Sequence, residues 1–262
     1  MAAEEKLVAK IMERLLATTS MEQKEEPSVD KKISSLTEFV GTAPVGDTIG
    51  LVIANVDAHL AEAMQLKKNY RSLGIVGARS GAGPQITAAD EAVKATNTEI
   101  VSVELPRDTK GGGGHGVLII FGGEDVSDVR RAVEVTLKET ERTFGDVYNN
   151  EAGHVELQYS ARASYALAEA FGAEVGKAYG LMAAAPAAIG VVMADTAVKA
   201  ANVEVISYAS PNHGQKYSNE VTIHIKGDSG AVRQAVIAAR EVGKDLLNTL
   251  GSEPINDFPS YI

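Results

Sequence analysis

Residues 89–102 read ADEAVKATNTEIVS, and residues 194–207 read ADTAVKAANVEVIS. At an offset of 105, nine of the fourteen positions are identical: Ala89, Asp90, Ala92, Val93, Lys94, Ala95, Asn97, Glu99 and Ser102 recur in the second stretch. The likeness runs upstream, where Leu73–Ala78 answers Tyr179–Ala184. It also runs downstream, where Val129–Val133 answers Val232–Val236. Solenoid repeats span only about 20–50 residues, so a repeat of this length marks two whole domains joined in tandem.

Each copy reads the same way. A strand (Ile49–Ala54; Val155–Tyr159) leads to a helix (Ala58–Leu66; Ala163–Phe171). A second strand (Leu73–Ala78; Ala178–Ala183) precedes a helix that ends at Asn97 or Asn202. A strand pair follows, Glu99–Glu104 with Val117–Phe121 and Glu204–Tyr208 with Val221–Lys226, and then a last helix, Val126–Thr143 or Gly230–Leu250. Apolar residues at three- and four-residue spacing, such as Val129, Ala132, Val133, Thr136 and Leu137, carry the helix assignments. The β-branched run Val117–Ile120 and the alternation over Val221–Ile225 carry the strands. Hairpin-linked strands interrupted by helices predict α+β units with a mainly antiparallel sheet. The expected division is 1–35, an N-terminal helix and polar linker; 36–150 and 151–251, the two repeats; and 252–262, an irregular tail with Pro254 and Pro259.

Composition narrows the function. The 262 residues carry a net charge of −10, which disfavours a duplex nucleic-acid partner. The absence of cysteine removes disulfides, thiolate metal sites and cysteine nucleophiles. The longest uncharged run, 178–194, is interrupted by Pro186 and Gly190, whereas a spanning helix wants about 20 apolar residues. Glu4, Glu5 and Glu13 do not suit a secretory or transit leader. The expected location is therefore the cytoplasm, with no membrane partner.

Two glycine-rich stretches are candidates for function. Gly77-Ala78-Arg79-Ser80-Gly81-Ala82-Gly83 follows a strand in GxxxGxG spacing, which can bring backbone close to a pyrophosphate. No tyrosine has lysine four residues on, as a short-chain dehydrogenase requires, and the second repeat has no glycine fingerprint there. Lys110–Gly116, KGGGGHG, lacks the Lys-Ser/Thr close of a P-loop. It offers backbone groups without side-chain bulk, and Asn212-His213-Gly214 stands at the matching place in the second copy. The five histidines show no HxxxH or HExxH spacing, and no GxSxG elbow occurs. Catalytic residues, cofactors and metals are not expected.

The pattern Asp90…Lys94…Asn97…Glu99, repeated as Asp195…Lys199…Asn202…Glu204 and followed by Gly227-Asp228-Ser229-Gly230-Ala231-Val232, resembles the bacterial microcompartment (BMC) shell domain. Two copies, each led by an extra strand and helix, resemble the circularly permuted tandem shell proteins, and the likeness covers residues 34–262. The first copy departs from it at Gly122–Ser127, GGEDVS, which replaces the Gly-Asp-Ser-Gly turn.

The resemblance implies a non-enzymatic shell component, with two tandem circularly permuted BMC domains. It implies a homotrimer forming a pseudohexagonal plate that tiles with other shell proteins in the cytoplasm around diol-processing enzymes. It puts Lys94 and Lys199 at the plate edge. Passage of a small diol such as propanediol or glycerol is expected at the glycine-bearing loops, with Arg79, Ser80, Gly81, Gly83, Lys110, Gly113, His115, Asn212 and His213 as candidates. Leu7, Val8, Ile11, Met12, Leu15 and Leu16 form an apolar stripe, read as a helix that recruits encapsulated enzymes. The competing reading is a soluble small-molecule-binding protein or nucleotide-dependent oxidoreductase using the Gly77–Gly83 loop.

Overall fold

The computed structural model describes residues 34–106, 116–214 and 218–262. Residues Ser35–Ile262 form one compact unit. It contains two five-stranded sheets of the same topology, one per repeat. In the first, β1 (Phe39–Ala43), β2 (Thr48–Ile53), β3 (Ser72–Ala78), β4 (Glu99–Glu104) and β5 (Val117–Gly123) run in the order β1-β2-β3-β5-β4. In the second, β6 (Val147–Asn150), β7 (Gly153–Ser160), β8 (Ala178–Ala185), β9 (Val203–Ala209) and β10 (Val221–Gly227) run in the order β6-β7-β8-β10-β9. All pairings between these strands are antiparallel.

The helices are α1 (Ala58–Ala63), α2 (Gly83–Ala95) and α3 (Val126–Thr143) in the first half, and α4 (Tyr165–Phe171), α5 (Ala187–Ala200) and α6 (Ser229–Asn248) in the second. Helix α3 follows the heptad-like spacing: Val129, Ala132, Val133, Thr136 and Leu137 are buried against the sheet. The helix lies so close that a Cβ on Gly74 would sit 2.8 Å from the Val129 carbonyl oxygen. Gly180 plays the same part under α6, facing Val236.

Two sequence expectations need correction. Strands β1 and β6 were not anticipated, because FVGTA and VYNN are short and carry no long apolar alternation. Helix α1 stops at Ala63 rather than Leu66, since Gln65 adopts a left-handed φ of 54°. The C-terminal segment is irregular, as expected, yet firmly held. Ile255 bridges Asn149, and the buried Asp146 carboxylate accepts hydrogen bonds from the Tyr261 and Ile262 amides and the Ser260 hydroxyl.

The two halves share a core. One apolar cluster joins Ile86, Ala89 and Val93 of α2 to Ala163, Ala166 and Leu167 around α4 and to Tyr179 and Leu181 of β8. A second cluster fills the space between α5, α6 and the second sheet. Helix α2 therefore belongs to the first repeat by sequence and to both by packing.

Candidate functional site

The junction made by α2 gathers the polar chemistry of the protein. The β3–α2 turn brings Ser80 and Gly81 towards the second half. Gly81 has φ +77°, and a Cβ there would meet Gln85 Oε1 and the Phe144 ring at 2.8 Å. Only glycine fits that conformation and that space. Gly83 begins α2 directly against the Glu156 carboxylate of β7.

Glu156 lines two cavities. One, of about 380 Å³, is bounded by Gly46, Ser80, Gly81, Phe144 and His154 together with Glu156. The other, of about 60 Å³, is bounded by Gly83, Glu220, Thr222 and His224 together with Glu156. Strand alternation explains the polarity. Val155 and Leu157 point into the core, so Glu156, Gln158 and Ser160 lie on the opposite face, which α2 partly roofs over.

Burial and the neighbouring Glu220 charge push the Glu156 carboxyl up to about 7, against a smaller opposing effect of His154. His154 Nε2 lies 3.0 Å from Glu220 Oε2. Burial alone would lower the His154 imidazole, but that hydrogen bond and the charges of Glu220 and Glu156 raise it. His224, 2.6 Å from the Tyr179 hydroxyl through Nδ1 and packed on Phe171, is pushed down to about 4 by burial. It is neutral at pH 7. Beside the larger cavity, the amide nitrogen of the fully buried Gln85 donates to Ser80 O and Thr48 Oγ1, while its Oε1 has no partner among the described residues.

A second feature holds the halves together. Asp90 of α2 is fully buried, and its carboxylate accepts hydrogen bonds from the Ser164 amide at 2.9 Å and the Leu167 amide at 3.2 Å. It caps α4, whose own Ser164 side chain makes no capping bond. Burial raises the Asp90 carboxyl, opposed by Lys94 and those amides. Lys94 reaches Asp90, Glu91 and the Ser160 hydroxyl across the junction, and its side chain is 27% exposed. Lys199, at the equivalent place in the repeat, pairs with Asp195 and is 72% exposed.

The expected site residues thus part company. Ser80, Gly81 and Gly83 meet at the junction cavities, and exposed Arg79 lies next to them. Asn212 and His213 form an exposed turn closed by Ser210–His213 backbone bonds, and they line neither cavity. Lys110, Gly113 and His115, and the stripe Leu7, Val8, Ile11, Met12, Leu15 and Leu16, lie outside the described residues. Sequence reasoning missed Glu156, His154, Glu220, Thr222 and His224. An alternating strand such as VELQYS signals a polar face, and only packing shows that face covered.

The dinucleotide reading fails on geometry. The Gly77–Gly83 turn leaves an antiparallel sheet, not the parallel βαβ unit of a nucleotide-binding fold, and its glycines are occupied by Gln85, Phe144 and Glu156. Among the described residues, no group of three potential ligands could hold a metal ion, and no helix is long and apolar enough to cross a membrane.

Two copies of one antiparallel α+β unit, with a helix of the first docked on the second, define a tandem-duplicated building block. The BMC domain profile matches residues 72–152 and 178–256, and the chain belongs to the BMC domain family. Each matched segment begins at β3 or β8, leaving β1, β2 and α1, and likewise β7 and α4, outside it, in keeping with a permuted order. The chain is 70% identical over 237 residues to the bacterial microcompartment shell protein PduB of Citrobacter freundii, covering 90% of this chain and 87% of that protein. It is 64% identical over 266 residues to PduB of Salmonella typhimurium strain LT2, covering 98% of each. Among solved structures, a trimeric microcompartment shell protein PduB superposes with a TM-score of 0.84 at 57% identity, over 87% of this chain and all of that one. These relatives are microcompartment shell proteins.

Proposed function

We propose that the chain forms a homotrimeric plate in the shell of a cytoplasmic microcompartment, and that the junction at Glu156 passes small hydroxylated solutes such as propanediol or glycerol. The observation that carries the plate is the duplicated unit whose halves already join through α2, alongside near full-length similarity to PduB shell proteins. The solute reading rests on the lining. The Glu156 carboxyl, pushed up to about 7, and the neutral His224 imidazole can each exchange hydrogen bonds with a hydroxyl. Weak binding suits a conduit, since millimolar dissociation is only about −4 kcal/mol.

The working division is 36–150 and 151–251 for the two shell domains, with 1–35 recruiting the encapsulated diol-processing enzymes and 252–262 as a tail. Lys94 and Lys199 serve the plate edge, and Lys199 is the freer of the two. The test is assembly together with flux. The purified chain is expected to sediment as a trimer and to form sheets by electron microscopy. Ser80→Phe, which fills the larger cavity, is expected to slow diol consumption by intact compartments but not by broken ones. Equal slowing in both preparations would remove the passage from this site.

A further inference from the structure

Of the described residues that line the two junction cavities, Glu156 alone borders both. It stands at the narrow place between them. Gly83, the first residue of α2, lies directly against a Glu156 carboxylate oxygen, and a Cβ at that position would collide with it. A solute that crosses from one cavity to the other has to pass this carboxyl. Among the described residues, no hydrogen bond ties the carboxyl down: burial and the charges of Glu220 and His154 are what act on it.

The fixed charges along this path have one sign. Among the described residues no lysine or arginine lines either cavity, whereas Glu156, Glu220 and Asp257 do. Each packed element adds its own groups. From β7 itself comes His154, whose Nε2 lies 3.0 Å from the Glu220 carboxylate at the entry to β10. From β10 comes His224, neutral at pH 7 because burial pushes it down to about 4. The Tyr179 hydroxyl of β8 and the Tyr261 hydroxyl of the C-terminal segment are held protonated, chiefly by burial. Asp257 comes from the same segment, and α2 brings Gly83 without a charge. When the His154 imidazole is protonated, it and Glu220 offset each other. Glu156 is the carboxyl that this pair leaves uncompensated.

Resting on the passage reading above, we infer that Glu156 sets the charge selectivity of the junction, admitting small neutral hydroxylated solutes and turning back small anions such as carboxylates and phosphate esters. A neutral diol can donate a hydroxyl proton to the carboxylate as it passes. An anion at the same place meets a like charge at contact distance with no cation beside it, a repulsion that lowers its occupancy roughly fivefold even in bulk water. In a half-buried site the repulsion is stronger. Its pH dependence has a definite sign. Glu156 ionises through about 7, and His154, raised by its contact with Glu220, loses its proton above the usual histidine range. Both changes make the junction more negative as pH rises, so anions are excluded least near pH 6 and most near pH 8. A wall with this filter admits a neutral substrate and holds acidic intermediates on the side where they form.

Propane-1,2-diol and lactate share a carbon skeleton and differ in charge, and neither changes its charge between pH 6 and pH 8. Saturation-transfer NMR on the full-length protein reads the weak occupancy of each. The part of the signal lost in Ser80→Phe, which fills the larger cavity, belongs to the junction; Val45→Trp, on the same lining, is a second blocking variant. For that part, the lactate-to-diol ratio of the wild type is expected to fall roughly fivefold or more from pH 6 to pH 8. Glu156→Gln keeps the shape of the side chain and removes its charge. It is expected to raise the ratio at pH 8 roughly threefold or more and to flatten its pH dependence. A ratio at pH 8 that is equal in wild type and Glu156→Gln, or a wild-type ratio that does not change with pH, would overturn the filter and leave the passage reading standing. Diol and lactate signals that neither blocking variant reduces would overturn the passage and the filter with it.

Discussion

Lys94 and Lys199 occupy the same place in the repeat, and the structure gives them different work. Lys94 neutralises the buried Asp90 carboxylate and reaches Ser160 of the other half, whereas Lys199 makes one exposed i,i+4 pair. Removing one partner of a buried ion pair leaves an uncompensated charge and typically costs about 3–5 kcal/mol, while an exposed pair is worth about 0–1. Lys94→Ala is therefore expected to destabilise the fold by about 2–4 kcal/mol in urea, and Lys199→Ala by less than about 0.5. Under the proposed plate-edge role, Lys199→Ala should lose sheet formation while keeping the trimer. Glu156 supplies a second contrast. Its carboxyl titrates near 7 folded and near 4.5 as an ordinary glutamate, so its stabilising contribution is complete below pH 4.5 and is lost as pH rises through 7. His154, also raised, acts in the same direction. Thermal melts of Glu156→Gln should match wild type near pH 5 and show a gain of about 1–2 kcal/mol at pH 8, below the full shift because His154 and Glu220 readjust. A gain of the same size at both pH values would mean that this carboxyl is not the titrating group.

The 3₁₀ turn Phe144–Asp146 and strand β6 show how an unremarkable tail becomes structural. Asp146 is fully buried and binds the Tyr261 and Ile262 amides, the Ser260 and Tyr148 hydroxyls and Arg240 Nη1. The last residues are thereby drawn over the outer edge of the second sheet, where Ile262 is 8% exposed. Asp146→Ala leaves Arg240 and two amides without their acceptor, and is expected to cost about 3 kcal/mol or more. Limited proteolysis should then release the segment after Gly251 faster than in wild type. An unchanged cleavage rate would show the tail held by Ile255 and Tyr261 alone. The segment resembles a loose end in sequence because its two prolines are visible there, whereas the acceptor that fixes it lies more than a hundred residues earlier.

The two halves of the chain are already joined through α2, whose apolar face packs on α4 and β8 of the second half. The N-terminal 33 residues stand outside that geometry in the proposed function. Under that proposal the stripe Leu7 to Leu16 would gain helical stability by docking on a partner, since a helix of about 14 residues is marginal alone in water. Deleting residues 1–33 is expected to leave trimers and sheets unchanged while reducing the enzyme content of purified compartments severalfold. Compartments that keep their full enzyme content would assign recruitment elsewhere.

The repeat, the antiparallel α+β unit and nearly every central strand and helix were legible in the sequence, because alternation and helical spacing are local and each was written twice. The glycines of the 79–83 turn were legible as unusual because they cluster locally after a strand, although the second repeat does not copy them. What the sequence could not carry was which of two equivalent surfaces is covered. Ile86 and Val191, or Lys94 and Lys199, sit in nearly identical local contexts, and only the presence of a second half beside α2 separates them. Glu156, His154 and Glu220 form one site although they lie up to 66 residues apart. Their strands are brought together by sheet pairing and roofed by a helix from the other repeat. Secondary structure follows from neighbours in the chain; burial, shifted titration and the polar junction follow from neighbours in space.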